Sequence, residues 1–330
     1  GGGDFGDQRN YIFCEFQKNN FKIAVSKKGK KNIGSFHAFI ADALSFYGGE
    51  SGKVSGLAGY GKPKKTLIKK FSKLLTVNKN GIVFNRKRYS ISEINLSKIK
   101  PREYNRGKFI NQYPSDTNIF YNCCEYLPQD IAASGEYVFK EKILELLKIL
   151  KKTTNMKNLV VSGGVFQNVG LNKYINDSKI FQNVYFSMAA GDSGLALGSA
   201  LYIESKYRKR SRKNNLTPFL GPSFTKDQIF NLLNQSRLFF KYEKNIEKKV
   251  ASLLNKGNCV GWFQGKAEFG ARSLGARSIL ADPRQKSSKS RINQLLKKRD
   301  WFMPYAPSML YEHINKFLVN PTLPPYMQIA

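Results

Sequence analysis

Between residues 158 and 200 the chain repeats one pattern twice, and that repetition constrains the fold more than any other feature. Asn158-Leu159-Val160-Val161 breaks into Ser162-Gly163-Gly164-Val165-Phe166-Gln167-Asn168, and Val184-Tyr185-Phe186 leads to Gly191-Asp192-Ser193-Gly194 and a helix of small residues. Each reads as strand, glycine turn, helix, the alternation that builds α/β layers. Glycines let the backbone approach a ligand, and a helix N-terminus offers unpaired N–H groups to an anion. One such turn alone is more often an ordinary connection. Two together, the second with an acid at the helix start, predict a nucleotide or phosphate site.

The 330 residues suffice for one large or two ordinary domains with real cores. No apolar run reaches membrane-spanning length, and Gly1-Gly2-Gly3-Asp4-Phe5-Gly6-Asp7 lacks the basic and apolar regions of a secretory signal. No membrane partner is expected. Cys14, Cys123, Cys124 and Cys259 show no metal-site or disulfide spacing, so a cytoplasmic location is the default. With His37 and His313 the only histidines, a histidine-built metal site or a Ser/His hydrolase has almost no raw material. The net charge of +32 admits nucleic acid, an anionic surface or phosphorylated substrates. Its clusters at 27–31, 62–70, 86–88 and 208–213 are scattered and mixed with Asn, which puts a solvated surface slightly ahead of nucleic-acid binding.

Residues 11–25 alternate as a hairpin around Lys18-Asn19-Asn20, and apolar residues at helical spacing predict a helix over 35–47 that holds His37 as a packed or surface residue. The glycine-rich stretch 48–63 lacks P-loop spacing and reads as a mobile loop, with Lys53 placed to meet an anion. Residues 76–113 read as a polar, basic insertion. An amphipathic helix is predicted over 130–150, and the charged run 205–216 reads as a linker. Beyond it come a helix over 226–235 capped by Thr225, a second over 246–255, and a buried strand at 259–263. The segment 265–299 then interleaves Gly265, Gly270 and Gly275 with Lys266, Arg272, Arg277, Arg284, Lys297, Lys298 and Arg299, a polyphosphate or nucleotide candidate because guanidinium forks pair with phosphate oxygens.

Four segments, 52–61, 161–168, 189–198 and 261–284, together resemble the carbamoyltransferase family of nodulation and antibiotic-tailoring enzymes, in the family's order and over nearly the whole chain. The resemblance implies an α/β fold: an ASKHA (actin/sugar-kinase-like) domain over 1–204, the linker 205–216, and an α+β YrdC-like domain over 217–330, both domains incomplete. It further implies that the YrdC-like domain forms carbamoyl-adenylate from carbamoyl phosphate and ATP, and that the ASKHA domain passes the carbamoyl group to a hydroxylated small molecule with a bound divalent metal, usually iron, and Mg accompanying ATP. By the same resemblance Ser162, Gly163, Gly164, Asn168, Gly191 and Arg277 are nucleotide contacts, Asp192 is a metal ligand, and Arg272, Lys297 and Arg299 serve phosphate binding and adenylation.

Three departures qualify what is carried over. The family's metal-binding histidines would precede Gly1 and its Ser-x-Asn nucleotide site would follow Ala330, so residues 1–330 alone are expected to be inactive. The family's Phe-Arg-Pro stands here as Phe302-Met303-Pro304, and a Met cannot pair with phosphate, leaving Arg299 or Arg284 to substitute. A tRNA-modifying, threonylcarbamoyl-type relative and a degenerate nucleotide-binding protein are the alternative readings.

Overall fold

The computed structural model describes residues 9–17, 20–28, 33–44, 46, 50–85, 126–207, 217–319, 321 and 326–330. It is mixed α/β with small sheets, and it divides into two compact units, Gly1–Asp192 with Ile329–Ala330, and Ser193–Gln328. The expectations for residues 1–7, 86–113 and the Cys123-Cys124 pair lie outside the described residues, as does most of the expected linker.

The first unit runs β1 (Arg9–Gln17), β2 (Asn20–Lys28), α1 (Ile33–Ala43), α2 (Gly52–Ala58), α3 (Lys65–Ser72), β3 (Leu75–Asn78), β4 (Gly81–Phe84), α4 (Pro128–Thr154), β5 (Asn158–Val161), a 3-10 turn (Gly164–Gln167), α5 (Val169–Asp177) and β6 (Asn183–Phe186). The expected hairpin forms, with Gln17 opposite Asn20. The stretch expected to be a mobile loop instead contains α2. Val54 and Leu57 are buried there, so packing overrides the low helix propensity of Gly52 and Gly56. Lys53 pairs with Glu50 at 2.6 Å.

Helix α4 is the post on which this unit is built. Pro128 begins it, where a missing N–H costs nothing, and Asp130 in the first turn suits the positive end of the dipole. Asn155 ends it in the left-handed region at φ 53°, its N–H returning to the Lys151 carbonyl. From 130 to 136 every residue is buried, and α1, α2 and α3 all pack on this helix. Beyond it only one face is covered. Gly135 permits the close approach of α1, since a Cβ there would lie 2.9 Å from Ile40 Cγ1. Phe36 fills the space beyond, edge-on to Phe71 at 6.2 Å and to Phe84 at 5.8 Å.

The second unit runs α6 (Gly194–Tyr207), α7 (Lys226–Gln235), α8 (Ile246–Asn255), β7 (Val260–Phe263), β8 (Arg277–Leu280), α9 (Lys286–Ser290) continuing into a π turn (Arg291–Leu296), a 3-10 turn (Tyr311–His313) and α10 (Ile314–Phe317). Thr225 caps α7 as expected, in a reciprocal box with Gln228. The strand expected to be buried at 259–263 is not: β7 pairs only with β8 among the described residues, its residues alternate in exposure, and Phe263 is 51% exposed.

Candidate functional site

Strands β5 and β6 are parallel and in register, Val161 opposite Phe186, so both glycine turns leave the same end of the pair. The turns are joined directly, because the Gly163 N–H donates to the Ala190 carbonyl at 2.6 Å. Gly163 sits at φ 109°, a conformation that favours glycine. A Cβ on Gly164 would meet nothing within 4 Å, which leaves the backbone open to a ligand, and Ser162 beside it is exposed. Gly191 has a different reason to lack a side chain: a Cβ would fall 2.1 Å from Gln167 Nε2. The structure thus gathers Ser162, Gly163, Gly164, Asn168 and Gly191.

Asn168 turns out to be engaged within the protein. Its Oδ1 accepts from Leu171 N at 2.9 Å and caps α5, while its Nδ2 donates to Glu136 Oε1 at 2.8 Å and to Ser55 Oγ at 3.0 Å. Both amide hydrogens are consumed. Glu136, projecting from the buried half of α4, also bonds His37 of α1 and Ser55 of α2, each at 3.1 Å, and lies 3.4 Å from Lys140 Nζ. Burial pushes the Glu136 carboxyl up, but the His37 hydrogen bond and charge, with Lys140 and Asn168, outweigh it and bring it down to about 2. One buried carboxylate therefore ties the turn to three helices.

Asp192 is exposed. Among the described residues no three His, Cys, Asp or Glu side chains gather into a set able to hold a metal ion. These residues do not compose a metal centre.

In the second unit Arg272 lies on the loop between β7 and β8, Arg277 opens β8, and Lys297 and Arg299 lie just past the π turn. Glu268 organises the first of these segments. Its Oε1 accepts from Leu274 N at 2.8 Å, Ala276 N at 2.7 Å and Arg277 N at 3.2 Å, and its Oε2 accepts from Arg277 Nε at 3.0 Å. Burial pushes this carboxyl up as well, and the backbone N–H groups and Arg277 bring it down to about 2. Arg272 is half-buried, and burial lowers its guanidinium from the ordinary value. Lys297 is exposed at the end of the π turn.

The two arginines considered as substitutes at Met303 are engaged. Arg284 chelates Asp282, with contacts of 2.6 to 3.0 Å, and reaches Asn255. Arg299 donates to Asn293 Oδ1 at 2.6 Å and to the Pro304 carbonyl at 3.2 Å, and stacks over Tyr305. It links Asn293 of the π turn to Pro304.

Sequence reading missed both glutamates. Each left a signal: Glu136 is a charge on the apolar face of an amphipathic helix, and Glu268 is the single acid between Lys266 and Arg277.

Residues 3–201 match the family model of the carbamoyltransferase N-terminus, and residues 251–330 that of the carbamoyltransferase C-terminus. The chain belongs to the carbamoyltransferase family. Among its relatives are an uncharacterised Synechocystis protein, 32% identical over 84% of this chain and 46% of that protein, and the nodulation protein NolNO of Sinorhizobium fredii, 32% identical over 82% of this chain and 38% of that protein. The nodulation protein NolO of Bradyrhizobium diazoefficiens is 36% identical over 58% of this chain and 36% of its own length. The chain spans less than half the length of these three relatives. Family membership supports a transferase of carbamoyl groups in general terms, and no helix of the described residues is long and apolar enough to cross a membrane.

Proposed function

We propose that the protein is an O-carbamoyltransferase working in two steps. Carbamoyl phosphate, water and ATP give carbamoyl-adenylate with release of phosphate and pyrophosphate. The acceptor hydroxyl oxygen then attacks the carbamoyl carbon, the bond to AMP breaks, and the hydroxyl proton is lost. In this reading 1–204 is the ASKHA-type transfer domain, 205–216 a linker, and 217–330 the YrdC-like adenylating domain. The observation that carries it, beyond family membership, is the pair of turns joined through Gly163 whose backbone at Gly164 lies open at the ends of parallel strands, where α/β sheets take up nucleotides.

Ser162, Gly163, Gly164 and Gly191 approach the nucleotide through backbone, and Asn168 acts by holding the turn. Arg272, Arg277 and Lys297 oppose the charge that develops on the phosphates during adenylation. Asp192 is proposed as one ligand of a divalent metal, and no step is routed through that metal because the described residues do not complete its set. Asp192→Ala should lower metal content; equal content in variant and wild type overturns that assignment.

The test is carbamoyl-phosphate-dependent release of AMP and pyrophosphate from ATP, followed by transfer of labelled carbamoyl to a panel of sugars. No such release would sink the proposal and favour the degenerate nucleotide-binding reading, which Met303 supports. Met303→Arg should raise the rate of adenylation. The net charge of +32 keeps a tRNA-modifying relative as the second reading; tRNA binding that falls steeply with salt, together with carbamoyl transfer to tRNA, would favour it.

A further inference from the structure

We infer that Glu268 is the positioning residue that sets the 269–276 loop, with its Arg272 and with Arg277 at the start of β8, for a polyphosphate ligand. The inference rests on the adenylate-forming reading of the second unit. Glu268 stands within the connection between β7 and β8, its side chain 0% exposed. It reaches across to the far end of the same connection, where one oxygen takes three backbone N–H groups and the other takes the Arg277 Nε. The Arg277 Nη2 also donates to the Glu268 carbonyl at 3.4 Å. Two further bonds close the base of the loop, from Gln264 N to the Ala276 carbonyl at 2.9 Å and from Gln264 Nε2 to the Gly275 carbonyl at 3.2 Å.

A staple that served only to close a loop would need neither open glycines nor a solvent-facing arginine. This loop has both. Gly265 at φ 61° and Gly275 at φ 103° each have nothing within 4 Å of where a Cβ would stand, so backbone is presented to an incoming group at both ends. The Arg277 side chain is 49% exposed although its Nε is fixed, which leaves the rest of a rigidly oriented guanidinium facing solvent. An arginine anchored by one edge meets phosphate oxygens with little further loss of rotamer freedom. Glu268 supplies that anchor, and its bonds to the N–H groups of Leu274, Ala276 and Arg277 hold the backbone that carries the arginines.

The expected signature of a positioning role is a selective one. In the full protein, Glu268→Gln should raise the KM for ATP about tenfold or more, leaving the KM for the hydroxyl acceptor unchanged. Hydrogen exchange at the Leu274, Ala276 and Arg277 amides should speed up alongside it. A folded Glu268→Gln variant with an unchanged KM for ATP would overturn the inference, while the carbamoyltransferase reading would stand. Should Glu268→Gln fail to fold, Arg277→Gln decides instead, because it keeps the backbone bonds and removes only the anchored guanidinium. A higher KM for ATP supports the role, and an unchanged one defeats it. If the wild type turns over no ATP, the enzymatic reading fails, and calorimetry with inorganic pyrophosphate then decides: weaker binding by Glu268→Gln sustains the role, equal binding refutes it.

Discussion

Each unit of this protein contains a buried glutamate held at a pKa of about 2, and the two do different work. Glu136 collects side chains from α1, α2, its own helix and the 162–168 turn, so it joins elements that are far apart in the chain. Glu268 collects backbone N–H groups from the far end of its own loop and one arginine from the strand that follows it. A carboxylate shared among elements contributes to the stability of the whole unit; one that serves its own loop contributes to the shape of that loop. The same chemical group thus acts globally in one place and locally in the other, and the difference lies in how far its partners are in sequence.

The largest expected effect comes from breaking the first hub. Glu136→Ala strands His37, Ser55 and the Asn168 amide, and should cost about 3 to 5 kcal/mol in denaturant unfolding of the first unit. A loss under about 1 kcal/mol would mean that the hub is not a global tie.

Acid should act on the same residue by a related route. The folded-state pKa lies below the ordinary 4.5, so the stabilisation is fully present above pH 4.5 and is lost as pH falls towards 2. That loss amounts to about 3 kcal/mol for a shift of this size, and Glu136→Gln should lack it. Acid unfolding profiles that coincide for variant and wild type would remove the distinction.

Asn168→Ala sharpens the comparison on a smaller scale. It removes the α5 cap and one of the Glu136 bonds, with an expected cost of about 1 to 2 kcal/mol. A nucleotide affinity that falls along with stability would confirm that the residue acts through the turn. The smallest effect on stability belongs to the other hub: Arg277→Gln breaks a half-exposed ion pair and should cost less than about 1 kcal/mol, despite its larger effect on the KM for ATP. A thermal unfolding shift as large as that of Glu136→Ala would erase the contrast between the two glutamates.

Much of this was legible along the chain. The hairpin around residues 18–20, the amphipathic pattern of α4, the Thr225 cap and the two strand-turn-helix repeats each depend on neighbours within a few positions, and each formed where its pattern lay. The errors share one cause. The glycine-rich stretch became α2 because Val54 and Leu57 found a buried place beside α4, and β7 stayed half-exposed because among the described residues it pairs with β8 alone. Neither outcome depends on the residues nearest in sequence. The candidate site shows the same division: the glycines were identified from their turns, whereas the internal engagement of Asn168, Arg284 and Arg299 was not.

The sequence by itself determined the order of elements, the position of the two glycine turns, and the family, since these reside in local periodicity and in the identity of consecutive residues. Only the tertiary structure decided that Glu136 is shared, that its partners are His37, Ser55 and Asn168 at separations of 99, 81 and 32 residues, and that Asn168 supports the turn instead of reaching outward. The physical reason is that a buried carboxylate must find donors wherever packing brings them. Packing answers to volume and burial across the whole unit, which no stretch of neighbouring residues encodes.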